Sequence, residues 1–220
     1  MAPLFTGLKL GFGRAEDAGL AIGDAYEGGF FAGYISHTSN GVATHALIVA
    51  PAATGATGTG YPDITNVQWK TTNTTTTGTT SPFDGAINSA NMNNANHPAA
   101  KFCEDLSIGG YTDWYLPARY ELDIAYENFK PTTASNNTSW GINPYSVPER
   151  TVNRTAGAPA QTSLAAFQSG GAEAFPNLFH WSSTQATATK AWRITFADGE
   201  HVDGSKANSI QARAFRKVAL

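Results

Sequence analysis

The side chains that could do chemistry in this chain are few and widely separated. Cys103 is the only cysteine, and it lies among apolar residues of a predicted helix. A thiol in such a setting is typical of an inert, buried group. The histidines lack the i, i+4 or short hairpin spacing of metal sites; they are His37, His45, His97, His180 and His201. The sequence therefore predicts no metal site.

Nucleophilic catalysis has no recognisable motif either. Ser182 and Ser183 follow Trp181, but no Gly-x-Ser-x-Gly turn surrounds them. We expect both hydroxyls to form hydrogen bonds within a sheet. The sequence thus predicts a protein that is not an enzyme and that needs no cofactor.

The composition favours a loop-rich protein with more strand than helix. The 220 residues can form one large domain or two small ones, and we favour one. Charged residues are only 14% of the chain, well below the usual quarter, so Thr, Asn, Ser and Gly must supply the polar surface. These residues favour turns and strands. The net charge of −3 lacks the basic footprint of a nucleic-acid-binding protein.

The N-terminal residues 1–22 are predicted to be an attachment arm, followed by a single domain at residues 23–220. The stretch from Met1 to Gly13 has one basic residue, Lys9, and its apolar run is broken by proline and glycine. It therefore predicts neither a signal peptide nor a transmembrane span, and we expect synthesis in a cytoplasm. The apolar arm could dock on a partner chain. An ordinary first strand is an equal alternative.

Local patterns predict a hairpin followed by two helices. Residues 25–34 and 43–50 have the composition of strands, with a Ser-Asn-Gly turn between them. One helix is predicted to begin at Pro98, and a second to run from Ala118 to Asn128, because each has proline at its start and an apolar side. Between hairpin and helices, a Thr-rich segment predicts a long surface loop that Trp69 pins to the body.

The C-terminal fifty residues predict a meander of strands. Strand-like segments occur at 178–183, 191–196 and 212–218, with turns expected at 197–199 and at Asp203-Gly204. Strands that follow helices in this way indicate an α+β domain.

The aromatic and turn motifs occur in an order that resembles a known family. The motifs are GGYTDWYLPARYEL from Gly109, WSST from Trp181, AW-x-x-x-F-x-x-G from Ala191 and RAFR from Arg213. This set resembles the C-terminal domain family of the Legionella collagen-like adhesin, which is associated with the C-type-lectin-like superfold. The resemblance implies two short helices, a twisted antiparallel sheet and long irregular loops. His180 departs from the family, which commonly has tyrosine there.

The same resemblance implies a function in attachment. Versions with HALIVAP from His45 and a KPTTASN-like middle resemble bacteriophage virion proteins, especially tail-fibre tips. We therefore expect a virion protein, assembled in the host cytoplasm, that binds a host surface glycan or protein. The arm would join it to other virion proteins, as a homotrimer, without membrane insertion. The alternatives are a capsid or tail decoration protein with no receptor role, and a bacterial adhesin domain.

Two branches of the superfold do not fit the residues present. The formylglycine-generating branch would need a cysteine pair, and the calcium-dependent lectins carry Glu-Pro-Asn, Gln-Pro-Asp and Trp-Asn-Asp motifs that are absent here. Asp113, Glu121 and Asp123 could be imagined as calcium ligands, but we expect structural roles. Asp113 is predicted to cap a turn, and Glu121 to pair with Arg119, Arg213 or Arg216.

The long polar segment from Lys130 to Gly171 is where we expect a binding surface, because long loops in compact domains tend to be functional. Plain solvated loops are the alternative. The candidate ligand-binding residues are Trp140, Asn143, Tyr145, Arg150 and Arg154, with Lys190, His201 and Asp203 from the terminal turns. The predicted structural residues are Trp114, Leu116, Pro117, Glu121, Trp181, Ser182, Trp192, Gly199 and Arg213.

Overall fold

The computed structural model describes residues 19–220, so the predicted arm of residues 1–22 lies outside the described residues except for its last four. Within 19–220 the strands are β1 (Ala25–Tyr26), β2 (Gly29–Ile35), β3 (His45–Val49), β4 (Ala56–Thr57), β5 (Val67–Gln68), β6 (Ser146–Val147), β7 (Phe179–Gln185), β8 (Lys190–Thr195), β9 (His201–Ser205), β10 (Ser209–Ile210), β11 (Ala212–Arg213) and β12 (Phe215–Ala219). The helices are α1 (Ala52–Gly55), α2 (Gly85–Ala90), α3 (Pro98–Glu104) and α4 (Arg119–Phe129).

Antiparallel pairing organises the strands into two main sheets. One has the order β1-β2-β3-β12, with β6 beside β2, and the other has the order β7-β8-β9. The predicted hairpin is confirmed, with Phe30 of β2 opposite Val49 of β3. Short sheets and long loops make up most of the described chain, which confirms the α+β class. None of the helices in residues 19–220 is long and apolar enough to cross a bilayer.

The two predicted helices are confirmed as α3 and α4, whereas α1 and α2 were not predicted. Their small and polar residues carry no apolar period, so tertiary contacts and capping must define them. Asp84 caps α2, since its side chain accepts a hydrogen bond from the Ile87 N–H at 3.2 Å.

The turn predicted at Asp203-Gly204 is wrong, because β9 runs through both residues. Gly204 lies opposite Ala191 of β8, and a Cβ at this position would come within 2.8 Å of the Arg193 guanidinium. The glycine lets the Arg193 side chain lie close to the backbone inside a strand. The predicted turn at Gly199 does occur, with a φ of 78° and the Tyr126 ring packed against its Cα.

Three tryptophans form the centre of one of the two large cores. Trp69, Trp114 and Trp181 are buried, and each indole N–H donates to a backbone carbonyl, of Ser182, Tyr111 and Val67 respectively. Trp69 therefore anchors the Thr-rich segment as predicted. Leu116, Pro117 and Cys103 are also buried.

Glu121 does not pair with an arginine, contrary to our prediction. Its carboxylate is fully buried and accepts hydrogen bonds from the Tyr115 hydroxyl and from the backbone N–H groups of Ala118 and Gly85. Burial raises the pKa of Glu121 to about 7, while the bond from Ala118 lowers it. The first turns of α2 and α4 have unpaired N–H groups, and Glu121 satisfies one at each.

The arginines of the RAFR motif join distant segments instead. Arg213 donates to the Ala50 carbonyl and pairs with Glu173 at 2.7 Å. Arg216 forms two bonds to the Asp113 carboxylate, at 2.7 and 3.0 Å. The expectation that Asp113 caps a turn is therefore wrong, because the nearby guanidinium is the stronger partner.

The Thr-rich segment is held by a lysine that has no carboxylate partner in the described part of the chain. Lys206 is fully buried, and its ammonium donates to the carbonyls of Thr74 and Ala188 and to the Gln185 side chain. It also lies 4.6 Å from the centre of the Trp69 ring. These contacts hold the Thr-rich loop, which has little regular secondary structure, against the core of the domain.

Replacing Trp114 by alanine should destabilise the domain by about 3–5 kcal/mol, because it removes one of the three buried indoles of this core and leaves a cavity. Equilibrium unfolding in denaturant measures the loss. Val152→Ala is the control, since that side chain is 72% exposed and should change stability by less than about 0.5 kcal/mol. Equal stabilities for the two variants would contradict the assignment of Trp114 to the core.

His180 should make folding sensitive to acid. Its ring is fully buried, and Nδ1 must donate to the Leu178 carbonyl at 3.0 Å, so Nε2 accepts from the Tyr61 hydroxyl at 2.8 Å. Burial lowers the pKa of His180 to about 3. Its neutral form therefore stabilises the fold above pH 6.5, and this contribution falls by about 1.4 kcal/mol per pH unit as the pH drops toward 3.

The matching experiment compares unfolding free energies of wild type and His180→Gln at pH 7 and pH 5. We expect the wild type to lose about 2 kcal/mol more than the variant over this range. Glu121 opposes the trend, since its raised pKa gains stability as the pH falls below 7, but it does so equally in both proteins. Parallel pH profiles would show that His180 is not the acid-sensitive group.

Candidate functional site

A buried carboxylate on α4 accepts hydrogen bonds from side chains of two other parts of the chain. Asp123 is fully buried and accepts hydrogen bonds from Arg150 and Arg154, from Asn143 at 3.0 Å and from His201 at 2.8 Å. We call these five residues the Asp123 cluster. Glu127, one helical turn further, pairs with Arg150 at 3.1 Å and with Arg154 at 3.2 Å. The cluster ties the loop of residues 140–154 and strand β9 to helix α4.

His201 in this cluster is neutral. The Arg119 Nε–H donates to His201 Nδ1 at 3.0 Å, and because an arginine nitrogen can only donate, the imidazole proton lies on Nε2, which faces Asp123. Burial lowers the pKa of His201, as do the positive charges of Arg119, Arg154 and Arg150. The imidazole is thus a fixed connector between a buried anion and a half-buried cation.

Three predicted ligand-binding residues are not at the surface. Asn143, Arg154 and His201 are 0%, 6% and 2% exposed, so the expectation of exposed side chains is wrong for them. The physical reason is Asp123, whose buried charge requires donors. Arg150 also joins this cluster and is only partly accessible.

The other predicted residues remain accessible. Trp140 is half-buried and stacks on His201, with ring centres 5.0 Å apart and planes at 8°. Lys190 and Asp203 form an exposed ion pair at 2.8 Å. Tyr145 stacks on Phe83 at 4.3 Å. Trp192, predicted to be structural, is only partly buried, although its carbonyl accepts from Ser182 Oγ at 2.8 Å.

These accessible rings and one arginine form a continuous surface that we call the aromatic strip. It is composed of Phe83, Tyr145, Tyr120, Arg119, Trp192 and Trp140. All six are half-buried. Tyr145 lies 5.5 Å from Tyr120, whose ring is 5.3 Å from the Arg119 guanidinium. That guanidinium in turn lies 4.1 Å from the Trp192 ring and 5.1 Å from the Trp140 ring. The strip crosses from loop 140–154 over α4 to β8.

Two clefts are lined in part by Arg150 of the cluster. The larger, of about 390 Å³, has an apolar lining that includes Ile22, Phe31 and Val147. The second, of about 340 Å³, is lined by Thr151 to Thr155 and shares Arg150 and Glu127 with the first. In residues 19–220 no three His, Cys, Asp or Glu side chains come together as ligands for a metal ion.

Sequence reasoning missed Arg119, Tyr120, Phe83 and the central role of Asp123. One signal was available for the last, since Asp123 and Glu127 are four residues apart on a predicted helix, as are Arg150 and Arg154 on the loop. The i, i+4 carboxylates share a helix face. Nothing in the sequence places the loop arginines opposite that face.

Replacing Asp123 by asparagine should cost about 3–5 kcal/mol, because it leaves two largely buried arginines without their main counter-charge. Asp105→Asn is the matched control, since Asp105 is exposed and its one ion pair within residues 19–220 is with Lys101 one turn earlier, a pair worth about 0.3–0.5 kcal/mol. Denaturant unfolding checks stability, and limited proteolysis should cleave loop 140–154 in the first variant alone. A loss below about 1 kcal/mol for Asp123→Asn would contradict its role in holding the loop.

Comparison with known proteins agrees with the motif pattern. Residues 58–216 match the family model described as the Lcl C-terminal domain, which confirms the resemblance drawn from the aromatic and turn motifs. No curated protein matches the chain significantly. The family match supports an adhesin-like attachment domain. Because it covers more than half of the sequence, the chain belongs to the Lcl C-terminal domain family.

Proposed function

We propose that this protein is a receptor-binding domain on a phage virion, at a fibre tip or on the particle surface, that attaches to a glycan or protein of the host surface. The family match supports the adhesin-like part of this proposal. The observation that supports a binding role is the aromatic strip, which presents six neighbouring half-buried side chains, and the virion setting rests on the resemblance of the HALIVAP and KPTTASN segments to virion proteins. A bacterial adhesin domain is the second candidate, since the family match favours attachment in either setting.

The composition of the strip suits binding. Tyrosine and tryptophan supply a large contact area at small entropic cost, and aromatic and arginine side chains dominate the binding energy of interfaces. Charged residues are sparse in the chain as a whole, so affinity cannot come from a large field of one sign.

The Asp123 cluster holds the side chains of the aromatic strip in fixed positions in the absence of a ligand. His201 supports the Trp140 ring from below and binds Arg119, while Asn143 and Arg150 fix the loop that carries Trp140 and Tyr145. A surface that is ordered in advance loses less entropy on binding. Several copies on one particle, as in a homotrimer joined to other virion proteins through the arm of residues 1–22, would raise a weak single-site affinity.

Binding of the labelled, purified protein to intact bacterial cells tests the proposal. We expect Trp140→Ala and Tyr145→Ala each to raise the apparent Kd about tenfold or more, as hot-spot residues do. Leu178→Ala is the control, because this exposed residue is not part of the strip. Immunogold labelling of particles checks the virion setting separately.

Two results would overturn the proposal. If the purified protein bound none of the bacterial strains that the phage adsorbs to, it would have no receptor role. Unchanged binding by both strip variants, with their folds intact, would place the receptor surface elsewhere. Labelling of a capsid lattice without cell binding would instead support a decoration protein.

A further inference from the structure

The turn that joins β2 to β3 contains the one Asn-Gly step of the chain, Asn40-Gly41. Asn40 is exposed to solvent and Gly41 is half-buried. An asparagine side chain can react with the backbone nitrogen of the next residue, and glycine permits this best because it has no Cβ to obstruct the approach. In the structure a Cβ at Gly41 would meet no atom within 4 Å, so the space beside this residue is open.

The Asn40 side chain is folded over the peptide bond that follows it. Its Oδ1 accepts a hydrogen bond from the Val42 N–H at 3.0 Å. Because Val42 is two residues further along the chain, this bond places the side-chain amide alongside the Gly41 nitrogen. The Ser36 hydroxyl donates to the same Oδ1 at 3.1 Å. Both donors would also stabilise the negative charge that Oδ1 gains when a nucleophile adds to its carbon.

The two nitrogen atoms that would react have no hydrogen-bond partner within residues 19–220. The Gly41 N–H donates to no carbonyl in this part of the chain. The Asn40 Nδ2 is the atom that would leave, and both hydrogen bonds of this side chain are made by Oδ1 instead. Neither nitrogen must therefore give up a protein contact before it reacts, and water can carry protons to and from both.

We propose that Asn40 is a site of spontaneous covalent modification, at which the side-chain amide is lost and aspartate or isoaspartate is formed. The Gly41 nitrogen forms a bond to Asn40 Cγ, and the bond from Cγ to Nδ2 breaks. Nδ2 leaves as ammonia with the proton that the Gly41 nitrogen gives up to water. Water then opens the resulting five-membered imide: cleavage at Cγ gives aspartate, and cleavage at the main-chain carbonyl gives isoaspartate.

The modification would alter a turn that contacts the aromatic strip. Isoaspartate adds one carbon to the main chain at residue 40 and moves Oδ1 away from its two donors. The same turn holds His37, whose backbone N–H donates to Thr44 Oγ1 at 3.0 Å and whose ring lies 5.2 Å from that of Phe83. Phe83 is one end of the strip, so the change in the turn reaches it through a single ring contact. The chemistry itself does not depend on the proposed attachment function.

Other exposed asparagines provide internal controls. Asn73 precedes Thr74 and Asn153 precedes Arg154, and both asparagines are exposed. The side chain of the following residue hinders the same attack in each case. Solvent exposure alone therefore does not distinguish Asn40 from these residues, whereas the glycine and the folded side chain do.

The test follows the purified full chain at neutral pH over several weeks, folded in buffer and unfolded in urea. Mass spectrometry of proteolytic fragments locates each asparagine whose amide has become an acid, and an isoaspartyl methyltransferase assay measures isoaspartate. We expect Asn40 to convert before every other asparagine, with isoaspartate as the larger product. Its rate in the folded protein should equal or exceed the rate in urea, because the fold presents the reacting groups and does not shield them.

Two variants separate the effect of the sequence from that of the structure. Asn40→Gln keeps an amide but would have to form a larger ring, so it should yield no isoaspartate at this position. Ser36→Ala removes one of the two donors to Oδ1. It should slow conversion in the folded protein about fivefold, which is the effect of one ordinary hydrogen bond, and leave the rate in urea unchanged.

Three results would overturn the proposal. The first is an intact amide at Asn40 in folded protein in which Asn73 or Asn153 has converted. The second is conversion of Asn40 in urea alone, which would show that the folded turn protects it. The third is an equal rate for folded wild type and folded Ser36→Ala, with both folds verified by circular dichroism, since the hydrogen bonds of the turn would then not promote the reaction.

Discussion

The charge of Asp123 is the constraint on which the accessible surface depends. A carboxylate with no exposure is tolerated only when its lone pairs are satisfied, and here the donors come from loop 140–154 and from β9. Those segments cannot move away without leaving a bare charge in the interior. The same contacts set the positions of Trp140 and Arg119, so a buried electrostatic requirement determines the geometry of an exposed surface.

Similar logic explains how a chain with so little regular secondary structure holds its long segments in place. The Asn136 side chain accepts a hydrogen bond from the Tyr126 hydroxyl and donates to the carbonyls of residues 155 and 159. Lys130 donates to the carbonyls of Ala134 and Pro159. Lys206 does the same for the Thr-rich segment. Backbone carbonyls that would pair within a helix or sheet elsewhere are paired here with buried side chains.

The parts of the fold that were predictable are those where the local pattern and the tertiary structure agree. Proline at or just before the start and an apolar side identified α3 and α4, and two stretches of strand composition around a Ser-Asn-Gly turn identified the hairpin of β2 and β3. Strand β9 was not predicted because Asp203-Gly204 has the composition of a turn, whereas in the structure Gly204 lies against the guanidinium of Arg193 across the sheet. Glu121 was assigned an arginine because charge pairing is the default for a lone carboxylate. Its actual donors are backbone N–H groups, which a sequence does not display.

The candidate binding residues also divide into those that could be predicted from the sequence and those that could not. Trp140, Tyr145, Lys190 and Asp203 could be named from composition, because exposed aromatic and charged side chains in loops are characteristic of contact surfaces. Asn143, Arg154 and His201 have the same composition but lie inside, since their burial depends on an anion that is twenty or more residues away in sequence. Arg119 was not predicted as a surface contact because it is the first residue of a helix. In the structure its guanidinium reaches the surface between the Trp140 and Trp192 rings.

The interior position of the cations has a consequence for how the protein meets its surroundings. Lys130, Arg154, Lys206, Arg213 and Arg216 are all buried, which removes five of the fourteen basic residues from contact with solvent. Proteases of trypsin specificity need a lysine or arginine on an accessible, mobile backbone. With these five residues held as internal ties, such enzymes have fewer accessible sites, so we expect the bonds that order the loops also to slow digestion by proteases of this specificity.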